Sequence, residues 1–209
     1  MPDLDTLPSI GGAGTGDTPQ DDLLPSAFWD QCLTIGEFVP DFTLPNVRGE
    51  LVGLDDLLDA GPVVVSFQHD SACPCCQRNQ RLLLEAEPAI VGAGATLVVV
   101  SAATANEREQ RLGAWSELLC DPGGKVAGLF GLLCRVPAGR REVLRRAGVA
   151  LADPRPSGEC VVQARAIYVI DSHGVVAYAA VTLGQRQEPD PTVIAATLTG
   201  LREQAEAID

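Results

Sequence analysis

Three apolar runs along the chain predict buried strands. Residues 63–67 (VVVSF), 95–101 (ATLVVVS) and 166–170 (AIYVI) are rich in β-branched and aromatic side chains, with few polar positions between them. Such continuous runs are typical of strands covered on both faces, as in parallel or mixed sheets. A fourth run at 175–180 follows the third after a short turn at 172–174 (SHG). The last two runs therefore predict a β-hairpin.

Apolar positions at helical spacing occur between these strands. Three leucines at 82–84, followed by Ala86, predict a helix soon after the first strand. Further helices are predicted at 27–35, 106–112, 126–130 and 192–207, short strands at 38–44 and 116–119, and one helix and a loop within 132–163. Strands and helices alternate and the chain closes with a hairpin, so we predict an α/β fold with a mixed sheet flanked by helices on both faces.

The beginning of the chain has a composition that cannot build a core. Residues 11–16 (GGAGTG), and the Pro, Asp and Gln residues after them, offer little apolar surface to bury. We therefore predict a flexible or docked N-terminal arm over residues 1–33 and one domain over residues 34–209.

Charge and length narrow the classes of partner. The 209 residues carry a formal net charge of −13, and such an acidic surface repels phosphate backbones and anionic membranes. We expect no nucleic-acid partner and no membrane partner, since no run approaches the roughly 18 apolar residues of a spanning helix. Residues 1–10 are acidic where a signal peptide needs basic residues, which predicts a cytoplasmic protein. Seven cysteines in a reducing compartment are then redox-active, metal-binding or simply buried.

The sequence Cys73-Pro74-Cys75-Cys76, which follows the first strand, carries the clearest chemical signal. Pro74 suits the first position of a helix, where its missing N–H would have no partner. Cys73 then occupies the N-cap, where free N–H groups and the helix dipole favour a thiolate. Cys76 lies one turn further along and can close a small disulfide ring with Cys73. The spacing predicts a redox-active thiol site at the end of a buried strand.

The order of several segments is similar to that of the AhpC/TSA peroxiredoxin-like family of the thioredoxin superfamily. The resemblance covers residues 34 to about 204, and is carried by 36–45 (GEFVPDFTLP), 61–76 (GPVVVSFQHDSACPCC), 94–101 (GATLVVVS), 119–131 (LCDPGGKVAGLFG) and 166–174 (AIYVIDSHG). It implies a thioredoxin-like, peroxiredoxin-type fold and a thiol-based peroxidase that needs no cofactor. A hydroperoxide would be the substrate, and a thioredoxin-type protein would be the reductant.

The resemblance also implies roles for single residues. Cys73, Pro74 and Cys76 match the C-P-x-C pattern of the family, and the alignment gives Cys76 the place of the peroxidatic cysteine. Thioredoxins attack with the first cysteine instead, which here is Cys73. Arg165 stands where thioredoxins have a cis-proline, and it resembles the peroxiredoxin arginine that binds thiolate and peroxide. We therefore predict Cys76 as the nucleophile, with Cys73 or Cys75 as the resolving thiol.

Four further residues belong to the predicted site or its surroundings. Cys75 fills a place that is usually aromatic or glycine, and it is either a resolving thiol or a side chain packed under the helix. His69 and the residue after it replace an Arg-Gly pair of the family, and we expect His69 and Ser71 to contact the substrate. Cys160, in the loop-like segment before Arg165, is the candidate for a resolving thiol outside the motif.

Two other functions stay open from the sequence. One is thiol–disulfide exchange on a protein or small-molecule disulfide. The other is a metal-binding or redox-sensing module with Cys73, Cys75, Cys76 and His69 as ligands. The motif lacks zinc-finger spacing and no second paired motif exists, so we predict no metal. The acidic surface and the edge-strand segment 38–44 leave monomer and homodimer both open.

Overall fold

The computed structural model describes residue 24 and residues 26–68, 74–102, 117–146, 149, 151, 160–183 and 190–207, with the backbone alone at 74 and 75. The helices within these residues are α1 (Ser26–Gln31), α2 (Leu54–Leu58), α3 (Pro74–Gly92), α4 (Lys125–Leu129), α5 (Arg141–Arg146) and α6 (Pro191–Glu206), with a 3₁₀ turn at Ala138–Arg140. The strands are β1 (Thr43–Pro45), β2 (Leu51–Gly53), β3 (Val63–Gln68), β4 (Thr96–Ser101), β5 (Glu117–Cys120), β6 (Leu133–Val136), β7 (Cys160–Gln163), β8 (Arg165–Ile170) and β9 (Val176–Thr182). The helix predicted at 106–112 lies outside the described residues.

A five-stranded sheet with the order β5-β4-β3-β8-β9 forms the centre of the described structure. Strands β3, β4 and β5 are parallel, whereas β8 runs antiparallel to both β3 and β9. All six residues of β3 are buried, as expected for the central strand of a sheet covered on both faces. The predicted mixed sheet with helices on both faces is confirmed, and so is the hairpin of β8 and β9.

Each face of the sheet has its own hydrophobic core. Helices α3 and α6 cover one face, where strand residues Val64, Leu97 and Val169 pack against Leu83, Ile90, Ile194 and Leu198. The larger core on the other face includes residues of α1, α2, α4 and α5 and of the small sheets β1–β2 and β6–β7. Its centre is aromatic: the rings of Phe67 and Phe130 have centroids 4.7 Å apart, and Tyr168 lies 5.2 Å from Phe130. The two cores fix the sheet between two helical layers.

Helix α1 is docked against the domain. Phe28 is fully buried, and the side-chain amide of Gln31 donates to the carbonyls of Gly131 (2.7 Å) and Leu133 (3.0 Å). Gly131 has a φ of 71°, and a Cβ there would collide with the backbone carbonyl of Gln31, so only glycine permits this close approach. The domain boundary at 33/34 stays a prediction, and residues 1–23 lie outside the described residues.

The prediction for segment 132–163 is wrong. Besides α5, it contains the strands β6 and β7, which pair with each other in antiparallel register. The apolar signal of β6 is weak in the sequence because Arg135 interrupts a strand of only four residues. Cys160 accordingly begins a half-buried strand, with its own side chain buried, and does not lie in a loop.

The prediction for segment 38–44 is also corrected. The strand there, β1, begins only at Thr43, and it pairs with β2 in a separate two-stranded sheet. Phe38 makes one isolated bridge to Val175. Pro40 and Pro45 have no N–H to donate to a ladder, which explains why the segment does not extend the central sheet. No helix of the described chain is both long and apolar enough to cross a membrane.

Candidate active site

Strand β3 changes from apolar to polar toward its C-terminal end on the face that α3 covers. Alternate residues of a strand point to opposite faces. Val63, Val65 and Phe67 belong to the larger core, whereas Val64 belongs to the core under α3. Ser66 and Gln68 follow Val64 on the same side and are fully buried. The end of β3 that leads to the cysteine motif therefore bears a polar layer in place of an apolar one.

The same layer extends across neighbouring strands. Gln68 is paired with Ser101 of β4, and Arg165 of β8 is paired with Thr182 of β9. The antiparallel register of β3 and β8 pairs Phe67 with Ala166, and its next step sets Arg165 beside Gln68. Paired residues point to the same face of a sheet, so Ser101, Gln68 and Arg165 all face the α3 side. Arg165 is only 3% exposed, which makes it a buried cation in this row.

Helix α3 begins at Pro74, as the motif predicted. Cys76, in its first turn, is fully buried, as are Asn79 and Leu83. These residues are three and seven positions after Cys76 and hence on one face of the helix. Leu83 belongs to the apolar core against the sheet, so Cys76 and Asn79 occupy the part of that face nearest the C-terminal end of β3.

Hydrogen bonds join this face of the helix to the strand. The side-chain amide of Gln80 donates to Gln68 Oε1 at 3.1 Å, and the amide of Gln68 donates to Ser66 Oγ at 3.4 Å. The amide of Asn79 donates to the same Ser66 oxygen at 3.3 Å. The first two turns of α3 are thus connected to the sheet through polar groups, and the following turns through the apolar core.

The structure brings two of the six predicted site residues to one end of the sheet. Cys76 lies in the first turn of α3, and Arg165 is the first residue of β8. Both are buried on the side of the sheet that α3 covers. His69, Ser71 and Cys73 lie outside the described residues, and Cys75 is described only as the second residue of α3. Their roles stay predictions. Among the described residues there is no cluster of three or more His, Cys, Asp or Glu side chains able to hold a metal ion.

The remaining cysteines are in less reactive surroundings. Burial raises the pKa of Cys32 and of Cys134 to about 12. The nearby Cys134 raises the pKa of Cys32 further by charge repulsion. Burial also raises the pKa of Cys160, although a hydrogen bond from Arg141 and the nearby charge of Arg145 oppose the change. A thiol attacks as its thiolate, so Cys32 and Cys134 are unreactive at neutral pH.

Cys160 belongs to the larger core, which lies on the face of the central sheet opposite α3. It is at the start of β7, five residues before Arg165, and its side chain is buried. Cys160 is therefore a less direct resolving thiol than the neighbours of Cys76 in the motif.

Sequence reasoning missed four residues of the polar layer: Ser66, Gln68, Asn79 and Gln80. The available signal was a serine within an otherwise apolar strand, together with an amide one helical turn after Cys76. Polar side chains in a buried strand need partners, and these partners are supplied by α3.

Solved structures show the same fold at low sequence identity. Peroxidoxin BcpB from Mycobacterium tuberculosis has a TM-score of 0.59 and 23% identity over 81% of this chain and 96% of that one. AhpC from Enterococcus faecalis has a TM-score of 0.59 and 16% identity, covering 84% and 96%. A candidate thiol:disulfide interchange protein DsbE from Chlorobium tepidum has a TM-score of 0.55 and 20% identity, covering 81% and 98%. The described structure is thus a thioredoxin-like fold of the peroxiredoxin type.

No curated protein sequence gives a significant match to the chain. A family model, however, agrees with the structural likeness. The model of the AhpC/TSA family matches residues 35–179, which include β3, the cysteine motif, α3, β8 and most of the hairpin. Because this match spans more than half of the sequence, the chain belongs to the AhpC/TSA family.

Proposed function

We propose that the protein is a thiol peroxidase that reduces hydroperoxides, with Cys76 as the nucleophile. The observation that carries this proposal is the location of Cys76 and the buried Arg165 at the same end and on the same face of the central sheet. Membership of the AhpC/TSA family supports thiol-dependent oxidoreductase chemistry in general. Peroxide as the substrate is the finer proposal.

The reaction needs only groups of the chain and the substrate. The Cys76 thiolate attacks the terminal oxygen of the hydroperoxide, so that an S–O bond forms while the O–O bond breaks. The leaving alkoxide or hydroxide takes a proton and departs as alcohol or water. The resulting sulfenic acid condenses with a second thiol, which releases water and forms a disulfide. We propose Cys73 or Cys75 for that second thiol, and a thioredoxin-type dithiol as the external reductant.

Arg165 is suited to support this step. A guanidinium stays charged at any physiological pH, and its N–H groups form strong hydrogen bonds to anions and to oxygen atoms. A buried cation is stabilised by a buried anion, and a thiolate at the start of α3 would supply one. The same N–H groups can hold the peroxide oxygens, which become more negative as the O–O bond breaks.

Thiol–disulfide exchange is the second candidate function. Cys73 and Cys76 are spaced for a one-turn disulfide, and one structural relative is described as a candidate thiol:disulfide interchange protein. Exchange of the thioredoxin type would use Cys73 as the attacking thiol, whereas the buried Arg165 at the same end of the sheet as Cys76 favours a peroxide substrate. The metal-binding or redox-sensing alternative stays a hypothesis, because the side chains of three of its four candidate ligands, His69, Cys73 and Cys75, lie outside the described part of the chain.

Anaerobic thiol titration separates the two candidates. Fully reduced protein is mixed with one equivalent of hydrogen peroxide or of an alkyl hydroperoxide, and free thiols and remaining peroxide are counted. The proposal predicts that two thiols are lost for each peroxide consumed. Constant thiol counts in excess peroxide, together with ready reduction of the oxidised protein by a dithiol, would favour exchange instead.

A further inference from the structure

An apolar pocket lies beside strand β9, at the edge of the central sheet. It has a volume of about 420 Å³ and is lined by Trp29 of α1, by residues 32–35, and by Ala179 and Val181 of β9. All of these lining residues are uncharged. Ala179 and Val181 pack against the larger core, whereas Cys76 is buried on the α3 side of the sheet. The pocket is therefore separate from the candidate active site.

The chain next to this pocket exposes further apolar surface. Ile35 is 64% exposed, and Phe38, which bridges to Val175 just before β9, is 73% exposed. Trp29 and Leu33 are only half-buried. Exposed apolar surface around a concave pocket is typical of interaction sites. We therefore expect the pocket to bind a partner with apolar side chains.

Residues 4–10 (LDTLPSI) of the N-terminal arm have the pattern of such a partner. Their three large apolar side chains follow one another at intervals of three residues: Leu4, Leu7 and Ile10. Pro8 favours an extended chain over an α-helix. A polyproline II helix has three residues per turn, so in that conformation the three apolar side chains share one face. Segments with this geometry bind in grooves lined by aromatic side chains, and Trp29 supplies one here.

Residues 11–23 connect this segment to the domain with a suitable length. The chain enters the domain at Leu24, whose side chain is 4% exposed and belongs to the larger core. Trp29 follows five residues later, so the pocket begins within about 17 Å of Leu24. A flexible chain of thirteen residues has a root-mean-square span of about 20 Å. Because the span and the distance match, the effective concentration of the segment at the pocket is on the order of millimolar.

We propose that residues 4–10 bind in the apolar pocket of their own chain, with their three apolar side chains against Trp29 and the side chains of β9. The same segment of a second copy is disfavoured, because at micromolar protein concentration it is about a thousandfold more dilute than the tethered segment. Repulsion between two chains of charge −13 disfavours it further. The bound segment covers Trp29 and Ile35 and connects α1 to β9 without using the backbone edge of β9.

Photo-cross-linking of the full-length protein tests this proposal. Benzoylphenylalanine is incorporated in place of Leu7, the reduced protein is irradiated at micromolar concentration, and peptide mass analysis locates the cross-link. A denaturing gel distinguishes cross-links within one chain from those between two chains. The control carries the same probe in place of Thr15, in the glycine-rich tether. Circular dichroism verifies that each variant is folded.

The proposal predicts cross-links within one chain, from position 7 to residues 29–35 or 177–182. Leu4→Asp combined with Ile10→Asp should reduce their yield to that of the probe at position 15, because the segment loses its apolar face. Ile35→Asp, which changes an exposed residue of the pocket wall, should lower the yield as well.

A matched variant controls for the added charge. Thr15→Asp combined with Thr18→Asp adds the same two charges to the tether and should leave the yield from position 7 unchanged. Three results would overturn the proposal. Cross-links between two chains would identify a second copy as the occupant. Equal yields from positions 7 and 15 would show that the segment has no preference for the pocket. A yield that survives Leu4→Asp with Ile10→Asp would show that the apolar face does not bind.

Quenching of Trp29 fluorescence by acrylamide repeats the test without a probe. Trp115→Phe leaves Trp29 as the single tryptophan of the chain. Leu4→Asp with Ile10→Asp should then increase the quenching relative to Thr15→Asp with Thr18→Asp, because the indole loses its cover. Equal quenching in the two variants would contradict the proposal.

Discussion

Arg165 is the residue whose environment is most informative about the proposed reduction of peroxide. Its side chain is nearly fully buried in the polar row at the end of β3 and β8, where a guanidinium needs anionic or polar partners. Replacing it with methionine keeps an unbranched stem and removes the charge together with all of the N–H donors. We expect Arg165→Met to slow peroxide reduction about ten- to a hundredfold, because a hydrogen bond to a charged group contributes about 1.5–3 kcal/mol.

The control for Arg165→Met is Arg146→Met, which removes an exposed arginine that pairs with Glu142 on the surface of α5. Peroxide consumption is measured by stopped flow for both variants. Equal rates in the two variants would mean that Arg165 does not act on the thiolate or the peroxide.

The buried thiols away from the motif give a pH prediction. Burial raises the pKa of Cys32 and Cys134 from 9.0 to about 12, so between these values the folded state keeps protons that the unfolded state has lost. The free energy of unfolding should therefore fall as pH rises from 9 to 12, by about 1.4 kcal/mol per pH unit for each thiol. In Cys32→Ala the free energy of unfolding should fall less steeply with pH, by the contribution of one thiol, about 1.4 kcal/mol per pH unit.

Urea unfolding at several pH values between 9 and 11 measures the slope for the parent protein and for Cys32→Ala. Burial also raises the pKa of Tyr168, which adds a contribution of the same sign to both proteins. The two slopes should differ by the share of Cys32. Parallel slopes would show that Cys32 ionises as freely in the folded protein as in the unfolded chain.

At the scale of elements, the attachment of α1 depends on one glycine. Gly131 has a positive φ, and a side chain there would meet the carbonyl group of Gln31 at the end of α1. We expect Gly131→Ala to lower the free energy of unfolding by more than the roughly 1–2 kcal/mol that a left-handed backbone costs an alanine. Gly94→Ala is the matched control, since Gly94 has a φ of 78° and no atom within 4 Å of an added Cβ.

Urea denaturation of the two variants distinguishes the free-energy cost of the left-handed backbone from the cost of the steric clash with the Gln31 carbonyl. Gly94→Ala should show the conformational cost alone. If both substitutions destabilise the protein equally, the close approach of α1 to Gly131 contributes nothing to stability.

Elements with a strong and uninterrupted apolar pattern could be predicted from the sequence. Strand β3, the hairpin of β8 and β9, and the start of α3 at Pro74 all follow from local composition and spacing. Strands β6 and β7 could not be predicted, because each has four residues and is stabilised by pairing with a partner distant in the sequence. Long-range pairing of this kind leaves little trace in a local pattern.

The candidate site was predictable to a similar extent. The cysteine motif could be singled out because cysteines that follow a buried strand at the start of a helix have a distinct chemical signature. The choice of Cys76 within the motif came from the family resemblance and stays a prediction. Arg165 came from the family resemblance, since no local pattern distinguishes a buried arginine from a surface one. Ser66 and Asn79 were missed because their importance depends on the register that brings α3 over β3.

At the scale of the whole molecule, strand β9 is an edge of the central sheet in the described structure, and the backbone of Gly36 and Glu37 bonds to this edge at its first residue, Val176. Its seven residues, VAYAAVT, contain no charge and no proline, the features that commonly protect an edge from pairing with another chain. We expect two copies to join their β9 edges by a two-fold axis, which would extend the sheet across the dimer. An uncharged edge also lets two chains of charge −13 approach with less repulsion.

Light scattering after size exclusion should give a mass near twice the 21.9 kDa of one chain. Hydrogen exchange should show protection of β9 amides at high protein concentration and faster exchange after dilution. A mass of one chain at all concentrations would rule out the dimer.

The central claim is that Cys76 attacks the peroxide, and trapping of its sulfenic acid tests this most directly. Reduced protein carrying Cys73→Ser and Cys75→Ser is treated with one equivalent of hydrogen peroxide in the presence of dimedone, and peptide mass analysis locates the adduct. With no resolving thiol in the motif, the sulfenic acid should persist, so a nearly stoichiometric adduct is predicted on Cys76. The single variants Cys76→Ser and Cys73→Ser are treated in the same way. An adduct that persists in Cys76→Ser and disappears in Cys73→Ser would contradict the account, because Cys73 would then be the attacking thiol.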